Sequence, residues 1–350
     1  MSIQIQPKRI RLEACARCQL GCPSCPNANK KTLSTLGNGH LDPENFRTLL
    51  AKSPFVREVE LANCGEIFLN PELSAIIKDA FHHGVTLTAN SGTNFNHVDE
   101  AVLEEMVRSK FRSITCSIDG ATQEVYSSYR RRGNLEVVLD NIRKLNAYKA
   151  KHGSKLPLLT WQFVVFGHNE HEISAARNMA EELGMAFRLK VAWDDGFSPV
   201  QDRDLVEEEH WRNASARPED QENDPDRSMR VFCHQLWEDP QINWDGRVLG
   251  CCCNHWGNFG ANAFEEGVLS AVNSERMMYA REMLFGLVIP QNGIPCTTCS
   301  AYKYMQQTGD WLQRGVKRAL YRTARYIYRD LGADQLVQRS RRALSFGRDS

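Results

Sequence analysis

Apolar and polar positions recur with two periods along the first 195 residues of the chain. Period-two runs rich in β-branched and aromatic residues lie at 8–13 (KRIRLE), 56–62 (VREVELA), 85–89 (VTLTA), 112–118 (RSITCSI), 159–165 (LTWQFVV) and 186–192 (AFRLKVA). Each predicts a strand. Between them the period lengthens to that of a helix at 42–52, 70–83, 98–108, 134–151 and 170–183. The first two open on a capping side chain, Asp42 or Asn70, with Pro43 or Pro71 at the first helical position, where a missing amide hydrogen costs nothing. Strand and helix alternate at about 30 residues per unit, which predicts a parallel sheet with crossover helices and ligands gathered at the C-terminal ends of the strands.

The pattern changes after Trp193. Between 194 and 226 there are twelve acidic residues and three basic ones, Arg203, Arg212 and Arg217, and Pro199, Pro218 and Pro225 interrupt any long helix. This is the composition of a solvated linker or lid. A second unit follows, with six of the twelve cysteines and little helical periodicity before Phe264. Its segment 241–249 reads as a hairpin about Asp245-Gly246, a pair that suits the two positive φ angles of a type I′ turn. The expected organisation is an α/β unit at 1–195, an acidic linker or lid at 196–230, a cysteine-rich unit at 231–305 and a basic helical tail at 306–350.

Composition narrows the function. The chain has 350 residues, 42% of them hydrophobic, and its 43 basic and 43 acidic residues cancel. A substantial core is affordable, and no global charge argues for nucleic acid. Mean hydropathy is −0.47, no apolar run approaches a membrane span, and MSIQIQPKRIRLEA lacks the apolar stretch of an export signal. A cytoplasmic protein is expected, and there clustered cysteines bind metal more often than they form disulfides.

The sharpest cluster is Cys18-x3-Cys22-x2-Cys25 in RLEACARCQLGCPSCP, directly after the first strand. Three thiolates on one loop can hold three irons of a cubane and leave the fourth open. A tetrahedral zinc site completed by Cys15 is the alternative on spacing alone. The loop resembles the cluster loop of the radical S-adenosylmethionine (SAM) superfamily, and further motifs follow in order. LANCGEIFLNPEL resembles the glycine-glutamate motif, placing Gly65 and Glu66 at the SAM amine, although Cys64 stands for a usual glycine and Ile67 for a usual proline. TANSGTN resembles the threonine-asparagine-glycine turn and points to Asn90; CSIDG resembles the serine-x-aspartate-glycine motif and points to Ser117 and Asp119. Arg130 of SYRRRGN would meet the SAM carboxylate, with Arg131 and Arg132 as neighbours able to substitute. The resemblance covers about residues 8–192 and implies a partial (β/α)6 TIM-like barrel, a SAM-binding 4Fe-4S cluster and a 5′-deoxyadenosyl radical.

The second set comprises Cys233, the run Cys251, Cys252 and Cys253, and Cys296-x2-Cys299. Four thiolates from these would serve zinc or a fully ligated cluster. CHQLWEDPQINWDGRVLGCCC, WGNFGANAF and PCTTC together resemble the SPASM or twitch auxiliary-cluster domain of radical SAM enzymes. That resemblance implies an auxiliary 4Fe-4S cluster on Cys233, Cys251, Cys296 and Cys299. If the run is extended, Cys252 points opposite to Cys251 and Cys253. One spare thiol would then face the barrel mouth as a hydrogen-atom donor, Cys253 ahead of Cys252, with Cys64 and Cys116 as outside candidates. His234 and His255 read as neighbours of the cysteines rather than ligands.

The expectation is a radical SAM dehydrogenase or epimerase acting on a small polar metabolite such as a sugar, aminocyclitol or nucleotide-linked carbohydrate. A flavodoxin- or ferredoxin-like protein would donate electrons. The rivals are a peptide maturase of the SPASM type, disfavoured because the cysteine loop begins at residue 18, and a non-catalytic metal-stabilised binding protein. The tail from 315 to 350 has nine basic and three acidic residues, so it suits either a docked helix or a contact with a protein or an anionic membrane surface.

Overall fold

The computed structural model describes residues 3–192, 196–206 and 230–312. The central acidic stretch and the basic tail lie outside them, with the expectations made for those segments. All six period-two runs are strands: β1 Arg9–Leu12, β2 Glu58–Glu60, β3 Thr86–Thr93, β4 Ser113–Ser117, β5 Leu158–Val165 and β6 Ala186–Val191. They lie parallel in sequence order, joined by crossover helices, and the sheet is not closed. This is the partial (β/α)6 barrel.

Alternation decides what each strand face carries. Ile10 and Leu12 of β1, Val59 of β2, Leu87 and Ala89 of β3 and Ile114 and Cys116 of β4 join one continuous apolar core. The opposite face is polar, with Arg9 and Arg11 of β1 placed against Glu58, Glu60 and Asp239.

The helix Pro43–Lys52 begins as expected, with Asp42 accepting from the amides of Glu44 and Asn45. The next helix does not begin at Asn70-Pro71. It spans Leu73–His82; Asn70 caps the turn that precedes it, its Oδ1 accepting from Glu72 N at 2.9 Å, while its Nδ2 donates to the carbonyls of Ala14 and Leu41 at 3.0 Å each. Asn70 thereby ties the second barrel unit to the end of β1. A short helix, Gln123–Tyr129, has no counterpart in the sequence reading.

The second unit adds to the barrel sheet. Its strand β7, Gln241–Ile242, pairs parallel with the outer edge of β1, and β8, Val248–Gly250, returns antiparallel to β7. The cysteine-rich unit is thus anchored beside the first cysteine loop. The hairpin is present, but its turn differs from type I′: Gly246 has φ +87° while Asp245 keeps a negative φ. Hydrogen bonds Gly246 N–Asn243 O and Asn243 N–Arg247 O enclose a three-residue loop, for which one left-handed glycine suffices.

Candidate cluster and cofactor site

The ends of β1 and β2 are locked together by a buried acid. Glu13, one residue beyond β1, accepts from Cys64 N at 3.0 Å and Gly65 N at 3.1 Å, and burial pushes its carboxyl up to about 7. Asn27 closes the opposite side, donating to the carbonyls of Ala16 and Cys64 at 3.0 Å each. Glu66 N donates to Arg17 O at 2.7 Å. The two backbones cross so closely at Gly65 that a Cβ there would lie 1.9 Å from Cys15 O. Only glycine satisfies that crossing.

The same loop is fixed from the far side of the barrel. Gly21 N donates to Arg131 O at 3.0 Å. Arg130 Nε donates to Asp119 Oδ2 at 2.6 Å, and its Nη1 reaches Cys22 Sγ at 3.8 Å. Asp119 is fully buried, and its other oxygen accepts from Val164 N at 2.8 Å. A carboxylate thus aims one guanidinium at one thiol. Burial pushes the Cys22 thiol up, and Arg130 offsets part of that rise, so the guanidinium is placed to stabilise a thiolate ligand. Cys18 sits within electrostatic reach of both Cys22 and Cys25. Cys15 does not join them: it is fully buried, with its sulfur 3.9 Å from Arg17 O. The three-thiol loop without a fourth cysteine fits an open-iron cluster.

The other sequence-derived residues fall around this loop in different ways. The Glu66 carboxylate is buried against the amides of Asn94 and Phe68, and burial pushes it up to about 7. Asn90 lies lower on β3, its amide donating to Glu60 and its carbonyl accepting from Arg188. Asn94, four residues on, is the asparagine that touches the loop, with Nδ2 3.6 Å from Cys18 Sγ and 3.3 Å from Gln19 Oε1. Ser117 is buried beside Gly92, whose φ is +121° and where a Cβ would lie 2.4 Å from Ser117 Oγ. Glu13, Asn27 and Asn94 escaped the sequence reading, since their partners are remote in sequence.

In the second unit Cys233, Cys251, Cys296 and Cys299 line a single cavity whose wall also includes Leu236, Phe259 and Leu284. Among the described residues no three His, Cys, Asp or Glu side chains converge on one point closely enough for a single metal ion. Four cysteines around an apolar space, Cys233 buried and the other three half-buried, instead fit a larger thiolate-held cluster. The cysteine run is not extended. Residues 251–253 form a bend and turn after β8, which brings Cys252 Sγ and Cys253 Sγ to 3.9 Å instead of sending them to opposite faces. Arg11 of the barrel acts on Cys252, whereas Cys251 and Cys233 act on Cys253. Both Cys252 and Cys253 also act on Lys190 of β6, so neither spare thiol is turned away from the barrel. Cys116 is fully buried in the core. His255 does not itself line the quartet's cavity, though Asn254 and Trp256 on either side of it do; its Nδ1 lies 3.6 Å from Cys64 Sγ.

No protein-family model matches the chain, and no curated protein matches it. Solved structures do. Streptococcus suis SuiB bound to S-adenosylmethionine aligns with a TM-score of 0.59 at 13% identity, covering 85% of this chain and 71% of SuiB. SuiB bound to the precursor peptide SuiA gives 0.57 at 12%, covering 85% and 70%. anSMEcpe with bound AdoMet gives 0.52 at 12%, covering 76% and 80%. At such identities the likeness carries the architecture alone, and that architecture, an open parallel barrel with a three-cysteine loop after its first strand, is the fold of the radical SAM enzymes.

Proposed function

We propose that this chain is a radical SAM enzyme with two iron–sulfur clusters, acting on a small polar metabolite. The observation that carries the reading is the convergence of three separate loops on Cys18, Cys22 and Cys25. The Gly65 crossing braces the Cys15–Arg17 backbone that leads into that loop, Arg130, held by Asp119, reaches Cys22, and Asn94 reaches Cys18. Cys18, Cys22 and Cys25 would hold the first cluster, and Cys233, Cys251, Cys296 and Cys299 the second. Bound together, cluster and SAM supply a 5′-deoxyadenosyl radical on one-electron reduction.

The chain's own residues prepare that chemistry. Asp119 holds the Arg130 guanidinium at the edge of the loop, where it suits a cofactor carboxylate. Gly65 lets the 64–66 segment cross the Cys15–Arg17 backbone and so fixes Glu66 beside the loop. Asn94 offers an N–H to Cys18 sulfur, a contact of the kind that tunes cluster potentials. The polar barrel face, where Arg11 donates to Ser91 and Arg188 donates to Gln162 and to the Asn90 carbonyl, suits a hydroxyl-rich substrate better than an apolar one. An electron carrier of the flavodoxin or ferredoxin class is the expected partner.

A peptide substrate is the second reading, favoured by the similarity to SuiB, whose structure with a precursor peptide is among the matches. The test is anaerobic reconstitution followed by assay of SAM cleavage to 5′-deoxyadenosine. Two cubanes give about eight irons per chain. Triple alanine replacement of Cys18, Cys22 and Cys25 is expected to remove about half the iron and all cleavage; cleavage by that variant refutes the reading. Stimulation of cleavage by carbohydrates or nucleotide-linked sugars supports the first substrate class, and stimulation only by peptides the second.

A further inference from the structure

We propose that Arg188 and Lys190, on the polar face of β6, form a subsite for a phosphate or pyrophosphate group of the substrate. This rests on the radical SAM reading and narrows its small polar metabolite to a phosphorylated one, such as a nucleotide-linked carbohydrate. Alternation sets the two cations side by side. Phe187 and Leu189 join the apolar core, so Arg188 and Lys190 point to the opposite face, the one that carries Gln162 of β5 and Thr115 of β4.

Two neighbours fix where that pair lies. Lys190 is in register with Val164 of β5, and Val164 N donates to Asp119 Oδ1 at 2.8 Å, so Lys190 stands beside the carboxylate that aims Arg130 at the first cysteine loop. From the second unit, Cys252 and Cys253 both act on Lys190 electrostatically. Cys252 acts on Arg11 of β1 as well, so the turn after Cys251 faces the first and the last barrel strand together. Lys190 therefore lies at the barrel mouth, between the two proposed cluster sites, where a substrate must sit to meet the radical.

The chemistry of the pair selects the ligand. Arg188 Nη2 donates to Gln162 Oε1 at 2.9 Å, Asn90 O at 3.3 Å and Thr115 Oγ1 at 3.5 Å, three neutral acceptors that direct the guanidinium without cancelling its charge. Arg188 is exposed and Lys190 half-buried, so a ligand can reach both. The acids on this face are engaged: Asp119 by Arg130 and Val164 N, and Glu60, deeper in the barrel, by Thr88 and the amides of Asn90 and Ser91. Burial and the neighbouring Arg188 both push Lys190 below its ordinary value; an anion seated between the two cations opposes both effects. Two positive charges match the near-double charge of a phosphate better than the single charge of a carboxylate. The guanidinium fork takes two of its oxygens and the ammonium another.

The test uses reconstituted enzyme saturated with SAM, so that Arg130 is already occupied, and follows labelled inorganic pyrophosphate by equilibrium dialysis at low salt. Wild type is expected to bind it, with uridine diphosphate displacing it and neutral glucose not. Arg188→Gln and Lys190→Gln are each expected to weaken binding about tenfold, and Arg188→Lys, which keeps the charge, by about threefold or less. Lys149→Gln, on the crossover helix Leu135–Lys151 outside the barrel, is the control and is expected to bind as wild type does. Iron content and far-UV circular dichroism check that each variant is folded. A second readout needs no variant: peptide-resolved acetylation of Lys190 in wild type is expected to slow about fivefold when pyrophosphate is present, since the anion holds the amine protonated. Pyrophosphate that fails to bind wild type, binds both glutamine variants undiminished or leaves Lys190 unprotected overturns the assignment. Displacement by glucuronate as readily as by uridine diphosphate overturns the choice of phosphate over carboxylate. Wild type that forms no 5′-deoxyadenosine from SAM overturns the enzyme reading itself, whatever the dialysis shows.

Discussion

Alanine at position 65 would bring its Cβ to 1.9 Å from Cys15 O and 2.8 Å from Ala16 C and Arg17 O. All three obstacles are backbone, so no side chain can swing aside. Either the Cys15–Arg17 segment or the 64–66 segment must move, and the bonds between them suffer: Glu66 N to Arg17 O, Gly65 N to Glu13 and the two made by Asn27. Overpacking costs about 1–3 kcal/mol, and weakening two such bonds adds about 1–3 kcal/mol. A loss of roughly 2–6 kcal/mol, at about 2–4 °C per kcal/mol for a chain of this order of size, predicts a Tm lowered by roughly 5–20 °C. Thermal unfolding of the cluster-free protein, followed by far-UV circular dichroism, reads this directly. Gly84→Ala is the control. Its φ of +66° makes alanine strained, but nothing lies within 4 Å of the added Cβ, so only about 1–2 kcal/mol is at stake. If Gly65→Ala melts no lower than Gly84→Ala, the crossing is not the steric constraint inferred here. In Gly65→Ala protein that does fold, the first cluster is expected to assemble poorly.

Other expectations follow from single contacts. Asp119→Asn removes the charge that aims Arg130 and is expected to weaken SAM binding about tenfold with iron content unchanged; equal affinity by equilibrium dialysis would unseat Arg130. Asn94→Ala is expected to lower the reduction potential of the first cluster, since a hydrogen bond to sulfur stabilises the more negative reduced state; a spectroelectrochemical titration with no shift contradicts this. Alanine at both Cys296 and Cys299 is expected to halve the iron and spare the first cluster. Glu13 and Glu66 have folded-state carboxyls raised from 4.5 to about 7. The native state therefore holds more protons than the unfolded chain between those values, and stability falls as pH rises through that window, levelling above it. Glu13→Gln should flatten part of the slope in urea titrations of the cluster-free protein between pH 5 and 7.5; an unaltered slope would show that Glu13 titrates normally.

Features that depend on near neighbours in the chain were legible from the residues alone. Side-chain alternation marks β1 to β6 because a strand half in the core repeats every second residue, and the Asp42 cap needs only the two amides that follow it. Cys18, Cys22 and Cys25 share a loop by their spacing, and the Asp119–Arg130 pair spans only eleven positions. Asn70 shows where local reasoning stops: its Oδ1 caps Glu72 N as the local pattern predicts, but its Nδ2 also bonds two buried carbonyls, at Ala14 and Leu41, that no local pattern announces. The turn at 251–253 likewise defeats alternation, because the chain leaves the ladder after Gly250. Glu13 on the 64–65 amides, β7 on the edge of β1, the four cysteines around one cavity and His255 against Cys64 join segments from about fifty to nearly two hundred and thirty residues apart. No periodicity encodes such pairs; they exist because packing the core brings strand ends together and every polar group left there must find a partner.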